Sequence, residues 1–190
     1  MNYLEQRILN EGTVIDESIL NVNHFLNQQI DINLLRYVAE AFSAHFKEHR
    51  ITKILTIEAS GIAFAVATAL QLGDQPVIFA KKGTSKLSGD DYQSMVFSYT
   101  KKQYYGIGIP KSLLGPQDQL LIIDDFLADG NAVLGLLDLV EQGGARVAGI
   151  GIVIEKSFQS GPQLLAEKGY EVFSLAKIKS LKDNHIELQL

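Results

Sequence analysis

Two adjacent carboxylates, Asp124 and Asp125, close a run of four aliphatic residues at 120–123. Such a run predicts a strand that is buried on both faces. A short loop with Gly130 follows, and a helical pattern begins at Ala132. This order places hydroxyl-binding carboxylates beside the backbone amides of a helix N-terminus, which suit a phosphate. A ribose 5-phosphate needs both groups at this separation, the acids for its 2- and 3-hydroxyls and the loop for its 5-phosphate.

Other kinds of protein also carry acid pairs at the carboxyl ends of strands. Receiver domains and magnesium-dependent phosphohydrolases do so, and a buried strand can simply end in a solvated Asp-Asp turn. In the first two classes the acids lie near the start of the domain. Here Asp124 and Asp125 follow at least two earlier strand–helix units. Their position favours the ribose-phosphate interpretation and leaves the solvated turn as an open alternative.

Strands and helices alternate along the rest of the chain. Helical spacing of apolar residues predicts helices at 2–10, after an N-cap at Asp31, at 62–72, from 132 to about 142 and around 162–168. Buried apolar runs predict strands at 53–57, 76–80, 120–123, 146–154, 171–178 and 186–188. The alternation predicts one α/β domain over residues 1–190, with a mostly parallel central sheet flanked by helices and a small cap at residues 1–30.

The polar segment 83–103 interrupts this alternation. Within it, residues 93–100 alternate weakly, as in a β-ribbon. A long excursion inside a compact domain is typical of a functional lid or a disordered insert. We expect a mobile lid.

The composition excludes several classes of protein. The net charge is −5 and no Lys/Arg run exceeds two residues, so no basic face for nucleic acid is evident. The chain has no cysteine, which rules out disulfides and thiolate metal sites. It shows neither the order of a secretion signal nor an apolar run of membrane length, so we expect a cytoplasmic protein without membrane contacts. No metal-ligand spacing relates the four histidines, His24, His45, His49 and His185.

Taken together, these segments resemble the type I phosphoribosyltransferases of purine salvage, and among them the xanthine-using members. The resemblance covers nearly the whole chain and is strongest at 121–128 and 149–159, while the turn at 58–62 is similar to the diphosphate loop of adenine-specific relatives. It implies transfer of the ribosyl phosphate from 5-phosphoribosyl 1-diphosphate (PRPP) to N9 of xanthine, giving xanthosine monophosphate (XMP) and diphosphate. It also implies Mg²⁺, held mainly by PRPP and water, and a homodimer.

The resemblance implies a role for particular residues. Asp124 and Asp125 would hold the ribose hydroxyls and help stabilise positive charge at the anomeric carbon. The backbone of the loop would hold the 5-phosphate, through Ala128, Asp129, Gly130, Asn131 and Ala132. The diphosphate would meet Ser60 and Gly61, with Lys81 or Lys82. For the two lysines, a solvated strand end is an equally open interpretation. A closed lid at 83–103 would exclude water, the competing nucleophile.

The expected xanthine-binding residues are Leu20, Asn27, Phe126 and Lys156. A lysine ammonium at the end of a strand would donate to the purine 6-oxygen and would oppose the 6-amino group of adenine. The alternatives are a surface lysine or one paired with Glu155. Phe126 would pack on the purine face or, equally, in the core.

The chain departs from the family pattern in two places. Many relatives carry hydroxyl residues in the phosphate loop, whereas this loop has none and adds the carboxylate of Asp129, which should turn away from a phosphate. Hypoxanthine–guanine relatives carry an aspartate, the proposed base for the purine, where this chain has Ala128. Xanthine is acidic for a purine, so its anion would need less help from a general base.

Three other functions remain open from the sequence. The first is the same reaction on guanine, hypoxanthine or adenine. The second is a PRPP-sensing transcription regulator of the same fold, although the roughly 30 residues before the first α/β unit are too few and too acidic for a DNA-binding domain. The third is an inactive binding module. For the homodimer, we expect contributions from Tyr104, Tyr105 and Ile107.

Overall fold

The computed structural model describes residues 1–83, 89–98 and 102–189. The helices of the described chain are α1 (Tyr3–Glu11), α2 (Ile32–Phe46), α3 (Gly61–Gln71), α4 (Asn131–Gln142) and α5 (Gly161–Glu167). Its strands are β1 (Thr13–Ile15), β2 (Ile19–Asn21), β3 (Lys53–Ile57), β4 (Val77–Lys82), β5 (Asp91–Ser98), β6 (Gln103–Pro110), β7 (Gln119–Leu127), β8 (Arg146–Lys156), β9 (Val172–Ser180) and β10 (Glu187–Leu188). A π-helical turn covers Asn23–Asn27, and 3-10 turns cover Lys111–Leu113 and Lys182–Asn184.

Eight strands of the described chain form one sheet in the order β10–β9–β8–β7–β3–β4–β6–β5. Strands β3, β4, β7, β8 and β9 run parallel, which confirms the mostly parallel sheet predicted from the alternation. At the two ends, β10 pairs antiparallel with β9, and the β5–β6 hairpin pairs antiparallel with β4. Because parallel strands end at the same edge, the segments that follow β3, β7 and β8 meet there.

The central strands divide their side chains between two hydrophobic cores. In β7, Leu121 and Ile123 pack with α2 and α3, whereas Leu120 and Ile122 pack with α4 on the opposite face. This division follows from the two-residue period of a strand. The strand therefore has no solvent-facing side along this stretch, which explains its unbroken aliphatic sequence. Within the described chain, no helix has the length and apolar character needed to cross a membrane.

Polar contacts fasten the N-terminal cap (residues 1–30) to the domain. The Asn2 side-chain amide donates to the Leu175 carbonyl on β9 at 2.7 Å. Arg7 Nη1 donates to Asp31 Oδ2 at 2.9 Å, and Asp31 is the N-cap of α2, as the sequence predicted. The position of the cap is thus set from both α2 and the sheet.

Strand β7 is longer than the sequence predicted. The predicted strand at 120–123 ends before the first carboxylate, because charged residues are rarely buried. The observed strand continues through Asp124 and Asp125, because β8 is longer still and pairs with it as far as Leu127 opposite Glu155. The acid pair therefore lies inside a strand and not in a solvated turn after it.

The segment 83–103 contains a strand that joins a hairpin. Strand β5 pairs with β6 from Asp91 opposite Pro110 to Ser98 opposite Gln103. Strand β6 itself was not predicted. Residues 84–88 and 99–101 of the expected lid lie outside the described residues, so the lid stays a prediction.

Candidate active site

The two carboxylates at the end of β7 are both buried, with 4% of Asp124 and 7% of Asp125 exposed. Successive strand residues point to opposite faces of a sheet. Asp125 Oδ2 accepts a hydrogen bond from Asn27 Nδ2 of the N-terminal cap at 2.6 Å, and Asp124 Oδ1 lies close to Gly61, the first residue of α3. The Asp125 backbone N–H donates to Asp124 Oδ1 at 3.0 Å. The pair is thus held between the cap and the sheet, with few donors to offset two negative charges.

Burial raises the pKa of Asp124 well above its usual range, and the neighbouring charge of Asp125 raises it further. The positive charge of Lys82 opposes this effect. The Asp124 charge also reaches Tyr105, whose pKa is raised first by burial and then by that carboxylate. Lys82 Nζ lies 5.5 Å from the centroid of the Tyr105 ring. The site therefore favours ligands that bring hydroxyl donors or positive charge to the two acids.

The loop between β7 and α4 surrounds a cavity of about 170 Å³. Gly130 has φ +83°, a left-handed conformation that favours glycine, and no side chain caps the helix that follows. The first backbone N–H groups of such a helix lack intrahelical partners and form an anion site. The cavity is lined by this loop, by Phe126 and by the β5–β6 hairpin, through Val96, Phe97, Tyr105, Phe126, Leu127, Ala128, Asp129, Gly130, Asn131, Ala132 and Val133.

The start of α3 lies against the acid pair. No side chain caps this helix either, and its first residue is Gly61. A Cβ atom at Gly61 would lie 2.2 Å from Thr56 Oγ1 and 3.1 Å from Asp124 Oδ1, so only glycine fits there. Ser60 precedes it and is half-buried. The expected diphosphate residues Ser60 and Gly61 are therefore brought to the same end of the sheet as the acids.

The lysine pair occupies the last two positions of β4, with both side chains exposed. The Lys82 backbone N–H donates to the Glu58 carboxylate, and its ammonium is the one that faces Tyr105 and Asp124. Lys81 pairs with Gly108 and lines a groove on the outer strands. Of the two, Lys82 is the better-placed candidate.

The base-binding candidates lie between β8 and the N-terminal cap. Lys156 Nζ donates to the Ser18 carbonyl at 2.9 Å and lies 5.9 Å from the centroid of the Phe126 ring. Burial lowers the pKa of Lys156, and the charge of Asp129 opposes this shift. Lys156 is therefore neither a free surface lysine nor a partner of Glu155, which accepts instead from Ser157 Oγ at 2.7 Å and Ser174 Oγ at 2.6 Å.

The other three base-binding candidates differ in their surroundings. Leu20 is 5% exposed and belongs to the core shared by the cap and α2, whereas Phe126 packs against that core and also lines the cavity. Asn27 donates to Asp125 through Nδ2, and its Oδ1 is buried without a partner among the described residues. Asn27 thus retains one amide hydrogen and one carbonyl for a ligand.

Sequence reasoning missed Tyr105 as a site residue and placed it instead at a dimer surface. It lines the cavity beside the loop between β7 and α4. The sequence did contain an indication of its position. Tyr105, Ile107 and Ile109 alternate along the chain and share one face of β6, so Tyr105 should point the same way as the two isoleucines. Ile107 and Ile109 are fully buried, so the expectation that Ile107 contributes to a dimer surface is wrong.

The donor set fits a magnesium ion that shares its ligands with a substrate. Carboxylate oxygens are what Mg²⁺ prefers, and it usually keeps waters and substrate phosphates as its other ligands. The described residues contain no group of three or more His, Cys, Asp or Glu that would hold a metal alone. Near the acid pair, however, Thr56 Oγ1 and Asn27 Oδ1 are buried without partners among the described residues. Asp124 and Asp125 would hold the ion only together with oxygens from a substrate.

The sequence matches a known family. The family profile described as "Phosphoribosyl transferase domain" matches residues 27–187. The chain is 50% identical over 189 residues to the xanthine phosphoribosyltransferase of Clostridium botulinum, with 100% of each chain covered. It is 52% identical to the xanthine phosphoribosyltransferase of Acinetobacter baylyi, over 98% of this chain and 97% of that one. Its fold is similar to that of the APRTase from Giardia lamblia complexed with 9-deazaadenine, with a TM-score of 0.75 and 26% identity over 87% of this chain and 92% of that chain.

Proposed function

This chain belongs to the phosphoribosyl transferase family, and we propose that it transfers the 5-phosphoribosyl group of PRPP to N9 of xanthine. The bond between C1 of the ribose and the diphosphate oxygen breaks, the bond from C1 to N9 forms, and N9 loses its proton. The products are XMP and diphosphate. The observation that carries the proposal is the buried acid pair beside the uncapped start of α4, in a chain about half identical to full-length xanthine phosphoribosyltransferases.

The acid pair serves the ribose. Asp124 and Asp125 accept hydrogen bonds from the 2- and 3-hydroxyls, and their charge stabilises the cationic character that develops at C1. Because they are already buried, no water has to be reorganised around them when that charge appears. The amides of residues 128–132 hold the 5-phosphate, and the side chain of Asp129 turns away from it.

The diphosphate lies at the start of α3. Ser60 and Gly61 offer backbone N–H groups that have no partner among the described residues, and Lys82 adds a positive charge near Asp124. Mg²⁺, held mainly by PRPP and water, would supply positive charge to offset that of the leaving diphosphate. Together these groups stabilise a leaving group that would otherwise depart with several unpaired negative charges.

Base selection depends on Lys156 and the N-terminal cap. The Lys156 ammonium donates to the 6-oxygen, and Phe126 packs on the purine face. Asn27 uses its second amide hydrogen for the 2-oxygen of xanthine, while Leu20 shapes the apolar wall of the pocket. Guanine presents a donor at position 2 and adenine a donor at position 6, so both are disfavoured.

We also propose that the protein acts as a homodimer in the cytoplasm. Tyr104 is 69% exposed and stays a candidate for the subunit contact. A groove of about 620 Å³ on the outer strands offers a second apolar surface, with Phe79 and Leu113 exposed along it. A single small domain rarely leaves apolar patches of this kind uncovered.

The decisive experiment incubates the protein with PRPP, Mg²⁺ and each of four purines, and measures the release of diphosphate. Xanthine should be the best substrate, guanine or hypoxanthine should follow, and adenine should be the poorest. Release with no purine would contradict the assignment as a phosphoribosyl transferase. Adenine as the best substrate would retain the reaction and overturn the base assignment.

A further inference from the structure

The start of α5 touches the phosphate loop through Gly161. This residue is buried, and its backbone N–H donates to the Ala128 carbonyl at 3.0 Å. Gly161 lies outside the loop itself and is not among the described residues that line the cavity. It therefore contacts the loop from behind, on the side away from the site.

There is no room for a side chain at this contact. A Cβ atom at Gly161 would lie 2.3 Å from the Ala128 carbonyl oxygen and 2.7 Å from the Gly130 nitrogen. Seen from the other side, a Cβ atom at Gly130 would lie 3.0 Å from the Gly161 Cα. All of these neighbours are backbone atoms, so no flexible side chain can move aside. The two glycines pack directly against each other.

The contact also orients the loop. In a planar trans peptide the carbonyl and the following N–H point in opposite directions. Because the Ala128 carbonyl is held toward Gly161, the N–H of Asp129 points away from α5, toward the side of the loop that carries the cavity. We propose that Gly161 is a positioning residue that aims this amide at the 5-phosphate. The proposal rests on the phosphoribosyl transfer proposed above.

The test compares Gly161→Ala with a matched control, Gly115→Ala. A Cβ atom at Gly115 would meet only the flexible end of the Gln117 side chain, and Gly115 precedes β7 whereas the loop follows that strand. In Gly161→Ala the KM for PRPP should rise about ten- to a hundred-fold, the loss expected when charge-assisted hydrogen bonds to a phosphate are misaligned. The KM for xanthine should change less than about two-fold, within the scatter of a neutral substitution.

Binding measurements separate a positioning role from general damage. The affinity of Gly161→Ala for ribose 5-phosphate should fall by the same factor as PRPP use, and its affinity for inorganic diphosphate should be unchanged, because that group binds at α3. An equal fall for both ligands, or an unchanged affinity for ribose 5-phosphate, would overturn the proposal. Both measurements need no turnover. They therefore test the positioning role of Gly161 even if the native protein is inactive with PRPP. Inactivity of the native protein would overturn the proposed function and not the role of Gly161.

A second substitution covers the case in which Gly161→Ala does not fold. Replacing Gly161 by glycolic acid turns its amide into an ester, which removes the N–H donor and adds no atom. Ribose 5-phosphate affinity should fall several-fold while diphosphate affinity stays, since the Ala128 carbonyl is no longer held. Native affinity for ribose 5-phosphate in the ester protein would show that the hydrogen bond does not set the loop.

Discussion

At the scale of single residues, the site keeps groups that cost stability. Asp124 is a buried carboxylate beside a second carboxylate, and its main protein donor is the Asp125 backbone N–H. Residues that serve a ligand are often retained at such a cost to the free energy of unfolding. The types and order of the acids allowed their role to be predicted from the sequence. The alternation of Tyr105 with Ile107 and Ile109 indicated a strand face but not its place in the cavity, and the contact of Gly161 could not be predicted, because both depend on distant segments of the chain.

Replacing Asp124 by Asn should separate stability from activity. The raised pKa of Asp124 means that the folded protein binds a proton more tightly than the unfolded chain does. Stability is therefore lost as pH rises from about 3.8, the ordinary value, through the raised pKa of the folded state. Asp124→Asn should remove this loss. It should raise the free energy of unfolding by about 1 kcal/mol near pH 8 and leave it unchanged near pH 3.8. Thermal unfolding across that pH range checks the prediction.

The same variant should lose about a hundred-fold or more in turnover, as expected when a group that stabilises developing charge is removed. Asp124→Asn combined with Asp125→Asn should lose most of the rate and stay folded. Asp74→Asn, at an exposed turn, is the control and should change neither the turnover nor the pH dependence of stability. Near-normal turnover in the double variant would show that the acids do not hold the ribose.

Lys156 should determine the preference for a 6-oxopurine. Losing one hydrogen bond from a charged ammonium costs about 1.5–3 kcal/mol, so Lys156→Ala should lower kcat/KM for xanthine roughly ten- to a hundred-fold. PRPP binding should be nearly unchanged. Lys168→Ala, an exposed lysine at the end of α5, is the matched control. Steady-state kinetics with xanthine varied at saturating PRPP make the comparison, and an unaltered efficiency would remove Lys156 from the site.

At the scale of elements, the parallel strands were predictable from the sequence. Of the β5–β6 hairpin, only the β5 side was predicted, as a weakly alternating ribbon at 93–100. Strands β3, β4, β7, β8 and β9 each contain apolar residues in a pattern that predicts a strand. Strand β6 contains Gly106 and Gly108, and glycine is depleted in strands, although the tyrosines and isoleucines of β6 favour one. It forms a strand because eight residues of β5 pair with it and because Ile107 and Ile109 fill the core beside α4.

Amide hydrogen exchange should distinguish two groups of residues in the 83–103 segment, those paired in the hairpin and the remainder. The paired residues of β5 and β6 are hydrogen-bonded already and should exchange slowly with and without ligand. If the segment contains a lid, its remaining residues should gain protection only with PRPP and Mg²⁺. Strong and equal protection over the whole segment in both states would rule out a lid.

Asp118 should anchor the opposite end of β7. This buried carboxylate accepts hydrogen bonds from Lys53 Nζ at 2.9 Å, the Gly115 backbone N–H at 3.0 Å and Thr52 Oγ1 at 3.1 Å. Burial opposes its ionisation, but the bond from Lys53 and the other donors hold its pKa below the ordinary value. A lowered pKa contributes stability that is present above the unfolded value and lost as pH falls.

Asp118→Ala should therefore cost about 3 kcal/mol near pH 7, because it leaves the Lys53 ammonium without its partner. The loss should begin to shrink as pH falls below about 4, where the carboxyl of the unfolded chain takes up a proton, and it should be smallest below the lowered pKa of the folded state. Asp118→Asn keeps the shape and should lose less. Urea unfolding at several pH values measures both variants. The kcat of either should stay within about two-fold of native, since Asp118 lies at the far end of the strand.

At the scale of the whole molecule, the domain is a sheet with a core on each face and a cap over one end. The fold class followed from the alternation of elements, because each strand–helix unit must bury its apolar face against the next. The arrangement of the cap over Asp125 did not follow, since β1 and β2 are three residues each and carry no strong pattern. Its place is set by contacts that span more than 90 residues of the chain, such as Asn27 with Asp125.

The protein should sediment as a dimer at micromolar concentration. The exposed apolar side chains at Tyr104 and Phe79 offer two surfaces for the contact. Tyr104→Asp and Phe79→Asp place a charge on each surface in turn, and the variant that disrupts the interface should sediment as a monomer. Sedimentation of the native protein as a monomer alone would contradict the prediction.

The turn from β8 to α5 has a consequence for the evolution of substrate preference. It begins at Lys156, beside the Phe126 ring, and ends at Gly161, against the phosphate loop. An insertion or deletion that moved the lysine to suit a new purine would also displace the glycine and disturb the loop. We therefore expect purine specificity to change by point substitutions in the N-terminal cap, which can vary independently of that loop. Directed evolution toward adenine should accordingly yield mutations in residues 18–27 more often than length changes in residues 157–160.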